Sequence, residues 1–384
     1  SNGQMFKLVD WANNPLDDQY AKRRIRNEPL IEITQVKGTS ETHPILSDND
    51  EWADFEIMPY RVATTDYSEP SGSYARDALL KGLSLEERGI TNAYQFGFIG
   101  SSDTHTAAAS LKEETYFSKV GLLDADGPRR GSVPLSSADA EIIRQAGRVQ
   151  IKEVDGKEYA SGGYETWGAS GLTGVWAEEN NRDSIYRALR RKETFATSGP
   201  RIKVRLFGGY DYDSITLNGD EVLTEAYRGG VSMGSELLTR SKQSPKFIAW
   251  ATKDANSAPL QRLQIIKGWT IDGKHNEAVY DVACAGGEAV DPSTNRCPDN
   301  GARVDLTDCS ITPLDGGSEL KVLWEDPDFN ADIRAFYYVR ALENPTCRWS
   351  TWDAIKAGAA PRSDLKATLQ ERAWSSPIWT VPRA

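Results

Sequence analysis

At Thr197-Ser198-Gly199-Pro200 the chain changes its pattern, and the change limits the folds open to it. Before that point strand-like and helix-like signals alternate. Residues 29–36 form a short run dense in β-branched side chains, bounded by Pro29 and Gly38, which predicts a buried strand. Tyr74, Ala78, Leu79, Leu83 and Leu85 give an apolar face to a predicted helix over 73–88. Residues 94–100 predict a second buried strand, which runs straight into Ser101-Ser102-Asp103-Thr104-His105. Strand, helix and strand with polar residues at the strand ends imply a parallel α/β sheet or barrel. The clearest helix signal is at 181–192, with Asn180 or Asn181 as its cap and Arg187, Arg190, Arg191 and Lys192 in its last turns.

After Pro200 the runs at 203–207, 247–251, 263–267, 320–324 and 336–342 are short and aromatic or β-branched. Turn clusters separate them, and one short helix is expected near 352–357, so this half predicts an antiparallel β-sandwich. A chain of 384 residues exceeds one ordinary core. The expectation is therefore an α/β domain over 1–200 and a β-sandwich-like domain over 201–384. Residues 106–170, rich in Gly, Ser and charge, are expected as an insertion or lid.

Lys and Arg total 45 against 56 Asp and Glu, a formal charge of -11 with no long basic run, which argues against nucleic acid as a partner. No stretch approaches the ~20 apolar residues of a membrane-spanning helix. No Gly-x-Ser-x-Gly elbow, phosphate-cradling loop or dinucleotide fingerprint occurs either. The chemistry then falls to Asp103 and His105. Residues two apart at the end of an extended segment face the same way, so a carboxylate and an imidazole can hold one cation, with Ser101 and Ser102 orienting them. Glu32 in the first strand, with Glu41 and His43 just beyond it, offers further metal or substrate contacts. His275 reads as a hairpin tip. The chain has only three histidines, too few for a hydrolytic centre of two or three metal ions. Either the chain is not such an enzyme, or part of the site lies outside it.

Cys284, Cys297, Cys309 and Cys347 all fall late in the chain, with no close Cys-x2-Cys pair for zinc. Two disulfides in an oxidising, periplasmic or secreted setting are expected. Of the three possible pairings we expect Cys284 with Cys297, closing a short loop around Asp291-Pro292-Ser293, and Cys309 with Cys347.

Several strings carry a resemblance: Ile31-Glu32-Ile33 with Gly38-Thr39-Ser40-Glu41, Gly97 to His105, Gly171 to Ala177, and Ala188 to Gly199. With the tail strings Phe336 to Arg340, Glu343 to Trp352 and Glu371 to Trp374, they resemble a bacterial family of unknown function related to the PHP (polymerase and histidinol phosphatase) metallohydrolases. The resemblance implies the C-terminal portion of a distorted TIM-type barrel over 1–200, with two or three divalent ions, zinc, manganese or iron. Of the family's ligands only the late Asp-x-His maps here, onto Asp103 and His105. The first part of the barrel would then be a companion N-terminal segment outside the sequence, and this chain alone would be inactive.

Two functions follow as expectations. The first is a metal-dependent hydrolase of phosphate esters or other small esters. Asp103 and His105 would hold a metal, Glu41 and His43 would line the pocket, and Glu32, Ser102, Trp167 and Trp176 would contact substrate. The second is a periplasmic carbohydrate- or protein-binding scaffold with an inert barrel, stacking its ligand on Trp349, Trp352, Trp374 and Trp379.

Overall fold

The structure is a computed structural model and describes residues 1–147, 149–213, 217, 221–241, 243–312 and 316–383. Two of the predicted strands, Leu30–Gln35 and Gly97–Gly100, pair in parallel, with Ile31 opposite Phe98 and Glu32 opposite Ile99. The predicted helix, Ala75–Glu87, crosses between them and buries Ala75, Ala78, Leu79, Leu83 and Leu85. Its apolar face packs with Phe96, Phe98, Tyr338 and Trp374 in one core. A two-residue strand, Gly38–Thr39, folds back on Gln35 and completes a three-stranded sheet. Gly38 makes that turn at φ +84°, where a Cβ would lie 1.6 Å from the Glu56 carbonyl oxygen.

The resemblance to a TIM-type barrel does not survive the topology. Among the described residues only two strand pairs are parallel: the pair above, and Glu236–Leu238 with Ile378–Val381. All other pairs among the described residues are antiparallel, and no sheet among them closes on itself. Among the described residues one β/α unit of this kind is present and is not repeated. Leu172–Val175 and Thr194–Thr197 instead pair antiparallel and enter the largest sheet. The local strand-helix-strand signal was correct, and it carried no information about how the next strand would be added. The fold is mainly β.

That largest sheet has eight strands. Arg372–Ser375 lies between Ala335–Glu343 and Thr194–Thr197, and the long hairpin Leu260–Ile271 with Lys274–Cys284 joins on Ala335–Glu343. A four-stranded antiparallel sheet, Glu319–Glu325, Lys246–Thr252, Lys203–Gly209 and Gly230–Ser232, packs on it. Val204, Leu206, Phe247, Leu263, Tyr337 and Ile378 share the core between the two. Strands from both sides of Pro200 thus belong to a single sheet.

Asn181 caps the helix Arg182–Arg190 by accepting the Ser184 N–H. The described residues of 106–170 include the α-helices Gly127–Arg130 and Ser137–Ala146 and a hairpin of Gln150–Val154 with Lys157–Ser161. Arg130 anchors this region to the helix Trp349–Lys356 by paired bonds to Asp353 at 2.6 and 2.7 Å. Disulfides join Cys284 to Cys297 and Cys309 to Cys347, as expected. No helix among the described residues is long and apolar enough to cross a membrane. The two disulfides are consistent with a secreted or extracellular protein.

Candidate functional site

The loops that follow the two parallel strands zip together. Ser101 donates its N–H to Thr34, Val36 donates to Ser102, and Gly168 donates back to Val36. Gly100 allows the third segment to close in, because a Cβ there would lie 2.6 Å from the Leu172 carbonyl oxygen. One residue past the zipper, Lys37 and Asp103 face each other as an ion pair.

Asp103 takes φ +49°, so the extended geometry that would align it with His105 is broken. The two side chains still converge, on the ammonium of Lys119. Lys119 Nζ donates to the Asp103 carbonyl at 2.7 Å and to Asp103 Oδ2 at 2.9 Å, and lies 3.2 Å from His105 Nδ1. His105 Nδ1 also lies 3.0 Å from the Asp103 carbonyl oxygen, and the His105 side chain is exposed. Partial burial alone would raise the Asp103 pKa, but hydrogen bonds from Lys37 and Lys119 hold it below the ordinary value. Lys119, which is buried, also lies 5.7 Å from the centre of the Trp167 ring.

These groups line a cavity of about 720 Å³ with Met58, Val62, Val120 and Leu123. A second cavity, of about 760 Å³, shares Lys37, Met58 and Val62 with it and contains Glu32 and His43. Glu32 accepts the Ser101 hydroxyl. His43 accepts the Ile45 N–H through Nδ1 at 3.1 Å and packs on Tyr74; its burial pushes its pKa down, against the pull of Asp54. Ser102 accepts weakly from Thr104, at 3.4 Å.

Two predicted residues lie elsewhere. Glu41 is enclosed in the core, 2% exposed, and accepts from Arg76, Arg340, Tyr338 and Trp374. It lines neither cavity. Trp176 packs on Phe195, has the Arg205 guanidinium 3.5 Å from its ring centre, and donates its indole N–H to Val204. Of the four tryptophans offered as a stacking platform, Trp349, Trp374 and Trp379 are buried in the core, and Trp352 is half-buried. Lys37 and Lys119 were missed. A lysine directly between a strand run and a turn glycine could have flagged Lys37, whereas no local pattern marks Lys119.

Among the described residues, no group of three or more His, Cys, Asp or Glu side chains could hold a metal ion. The Asp103 carboxylate is already matched by two ammonium groups. The residues present therefore do not fit a centre of two or three ions. What they form is a cationic pocket with an accessible imidazole, suited to an anion.

No curated protein and no solved structure matches the chain. A family model covers residues 1–382, and the chain belongs to that family, described as Protein of unknown function (DUF3604).

Proposed function

We propose that the chain is the anion-holding part of a hydrolase of phosphate esters or other small esters, related to the PHP metallohydrolases. One observation carries the reading: two lysines hold a single carboxylate and a histidine meets one of them, beyond the C-terminal ends of two parallel strands, at the edge of a ligand-sized cavity. Lys37 and Lys119 would hold the acid group of the ester and offset charge developing on it. His105, whose side chain is exposed, would exchange a proton with the leaving oxygen. Asp103 keeps both ammonium groups and the imidazole in position. Divalent ions of zinc, manganese or iron would need donors beyond Asp103 and His105, supplied by a companion N-terminal segment. An oxidising periplasm suits the two disulfides. The scaffold reading loses its main support with the burial of Trp349, Trp374 and Trp379.

The test is hydrolysis of p-nitrophenyl phosphate and p-nitrophenyl acetate by the protein joined to its companion segment and supplied with each metal in turn. Asp103→Ala is expected to lower turnover by at least ~100-fold. Unchanged turnover in Asp103→Ala, or no turnover with any ester and any metal, overturns the proposal.

A further inference from the structure

The charge of the cavity runs against that of the chain. The whole sequence carries -11, yet the titratable groups among the described residues lining this cavity are one carboxylate, two lysines, one histidine and one tyrosine. Lys119 is buried there with its ammonium directed at Asp103 and His105, and Lys37 closes on the same carboxylate. The rest of the lining combines an apolar set, Met58, Val62, Val120, Leu123, Val149 and Trp167, with glycines and the uncharged polar Thr64, Thr65, Gln150 and Ser161. Val62 and Leu123 are 64% and 60% exposed, so their apolar surface is open to a ligand that enters the pocket. A fully hydrated inorganic anion would use the lysines and leave these walls wet. A ligand with an acid group at one end and an apolar body at the other would use both.

We infer that this cavity selects a soluble, single-chain or aromatic anion, with its acid group on Lys37 and Lys119 and its apolar substituent against Val62, Leu123 and Trp167. The inference names the substrate class of the proposed site and rests on that reading for turnover. Binding is read without turnover, so the two can fail separately. If ester hydrolysis is absent but the binding pattern below holds, the hydrolase reading falls and the cavity assignment stands. If hydrolysis is present without that pattern, the reverse is true.

The experiment titrates the full chain with methylphosphonate, phenylphosphonate and octylphosphonate, which cannot be hydrolysed as esters, following tryptophan fluorescence and heat. Octylphosphonate, kept monomeric, is expected to bind at least ~10-fold tighter than methylphosphonate, since two or three buried methylenes suffice for that factor. Lys37→Gln is expected to weaken all three ligands ~10-fold or more, and Lys119→Gln likewise. Val62→Ser with Leu123→Ser, both exposed, is expected to remove most of the octyl advantage and leave methylphosphonate unaffected. Equal affinity for methyl and octyl ligands overturns the inference, as it would if another polypeptide covered the apolar walls. Affinity unchanged in Lys37→Gln also overturns it. Sedimentation with phosphatidylglycerol vesicles, without binding of monomeric octylphosphonate, would assign the surface to a membrane headgroup and overturn it too.

Discussion

Replacing Glu41 by Ala separates a structural role from a catalytic one. The Glu41 carboxylate accepts from Arg76 Nη2 at 2.7 Å, the Tyr338 hydroxyl at 2.6 Å, Arg340 Nη1 at 3.2 Å and the Trp374 indole at 2.6 Å. Asp50 shares both arginines, and none of these four charged side chains is more than 3% exposed. Burial would raise the Glu41 pKa, but Arg340 and Arg76 hold it below the ordinary value, so the carboxylate is charged in the core. Its removal leaves two guanidinium groups facing one fully buried carboxylate and the more distant Glu277, together with two unpaired neutral donors. Breaking a buried pair on one side costs about 3–5 kcal/mol, a large share of the ~5–15 kcal/mol that holds an ordinary fold together. With a urea slope near ~3 kcal/mol/M, the unfolding midpoint should fall by roughly 1–2 M, read by tryptophan fluorescence. Any ester hydrolysis should fall only with the folded fraction. A midpoint shift equivalent to less than ~1 kcal/mol, or loss of turnover at unchanged stability, would refute this account and return Glu41 to the site.

Other outcomes are open to measurement. Burial pushes the carboxyls of Glu113 and Glu343 up to about 8, chiefly through loss of solvent. Their folded values lie above the unfolded ones, so the contribution is fully present below about pH 4.5 and is lost as pH rises toward 8; urea midpoints should decline across that window, and Glu343→Gln should flatten the decline. A midpoint that rises from pH 5 to pH 8 contradicts this. Replacing Cys309 and Cys347 by Ser opens a loop of 38 residues and should cost about 4 kcal/mol, against about 3 for the 13-residue loop of Cys284 and Cys297; calorimetry of the two double variants ranks them. Gly100→Ala should destabilise by about 1–3 kcal/mol, because the new methyl meets the Leu172 backbone, and a neutral effect would show that the strand ends are looser than described.

The sequence made individual elements legible wherever a single periodicity ran to a turn, as in Leu30–Gln35, Ala75–Glu87 and Lys246–Thr252. Cysteine number and setting made two disulfides legible, whereas the choice among three pairings is visible only in the structure. What stayed hidden depends on partners far along the chain. Arg340 is the one charge in an otherwise apolar and aromatic run at 336–342, and it is fully buried because Glu41 and Asp50 arrive from almost 300 residues upstream. Lys119 is equally opaque, since nothing in Phe117-Ser118-Lys119 announces Asp103. The barrel expectation failed at the same level: periodicity identifies a strand but not the direction in which its neighbour will lie.

The position of Arg372–Ser375 between Ala335–Glu343 and Thr194–Thr197 has a consequence for biogenesis. Ribosomes must have translated as far as Ser375 before Thr194–Thr197 gains that neighbour. Until then Ala196, which packs beside Trp374 in the finished core, would be open to water and to other nascent chains. Any protein built this way that is exported as it is made depends on holding factors until late in synthesis, and a stop codon shortly before residue 372 should yield aggregate rather than a smaller folded product.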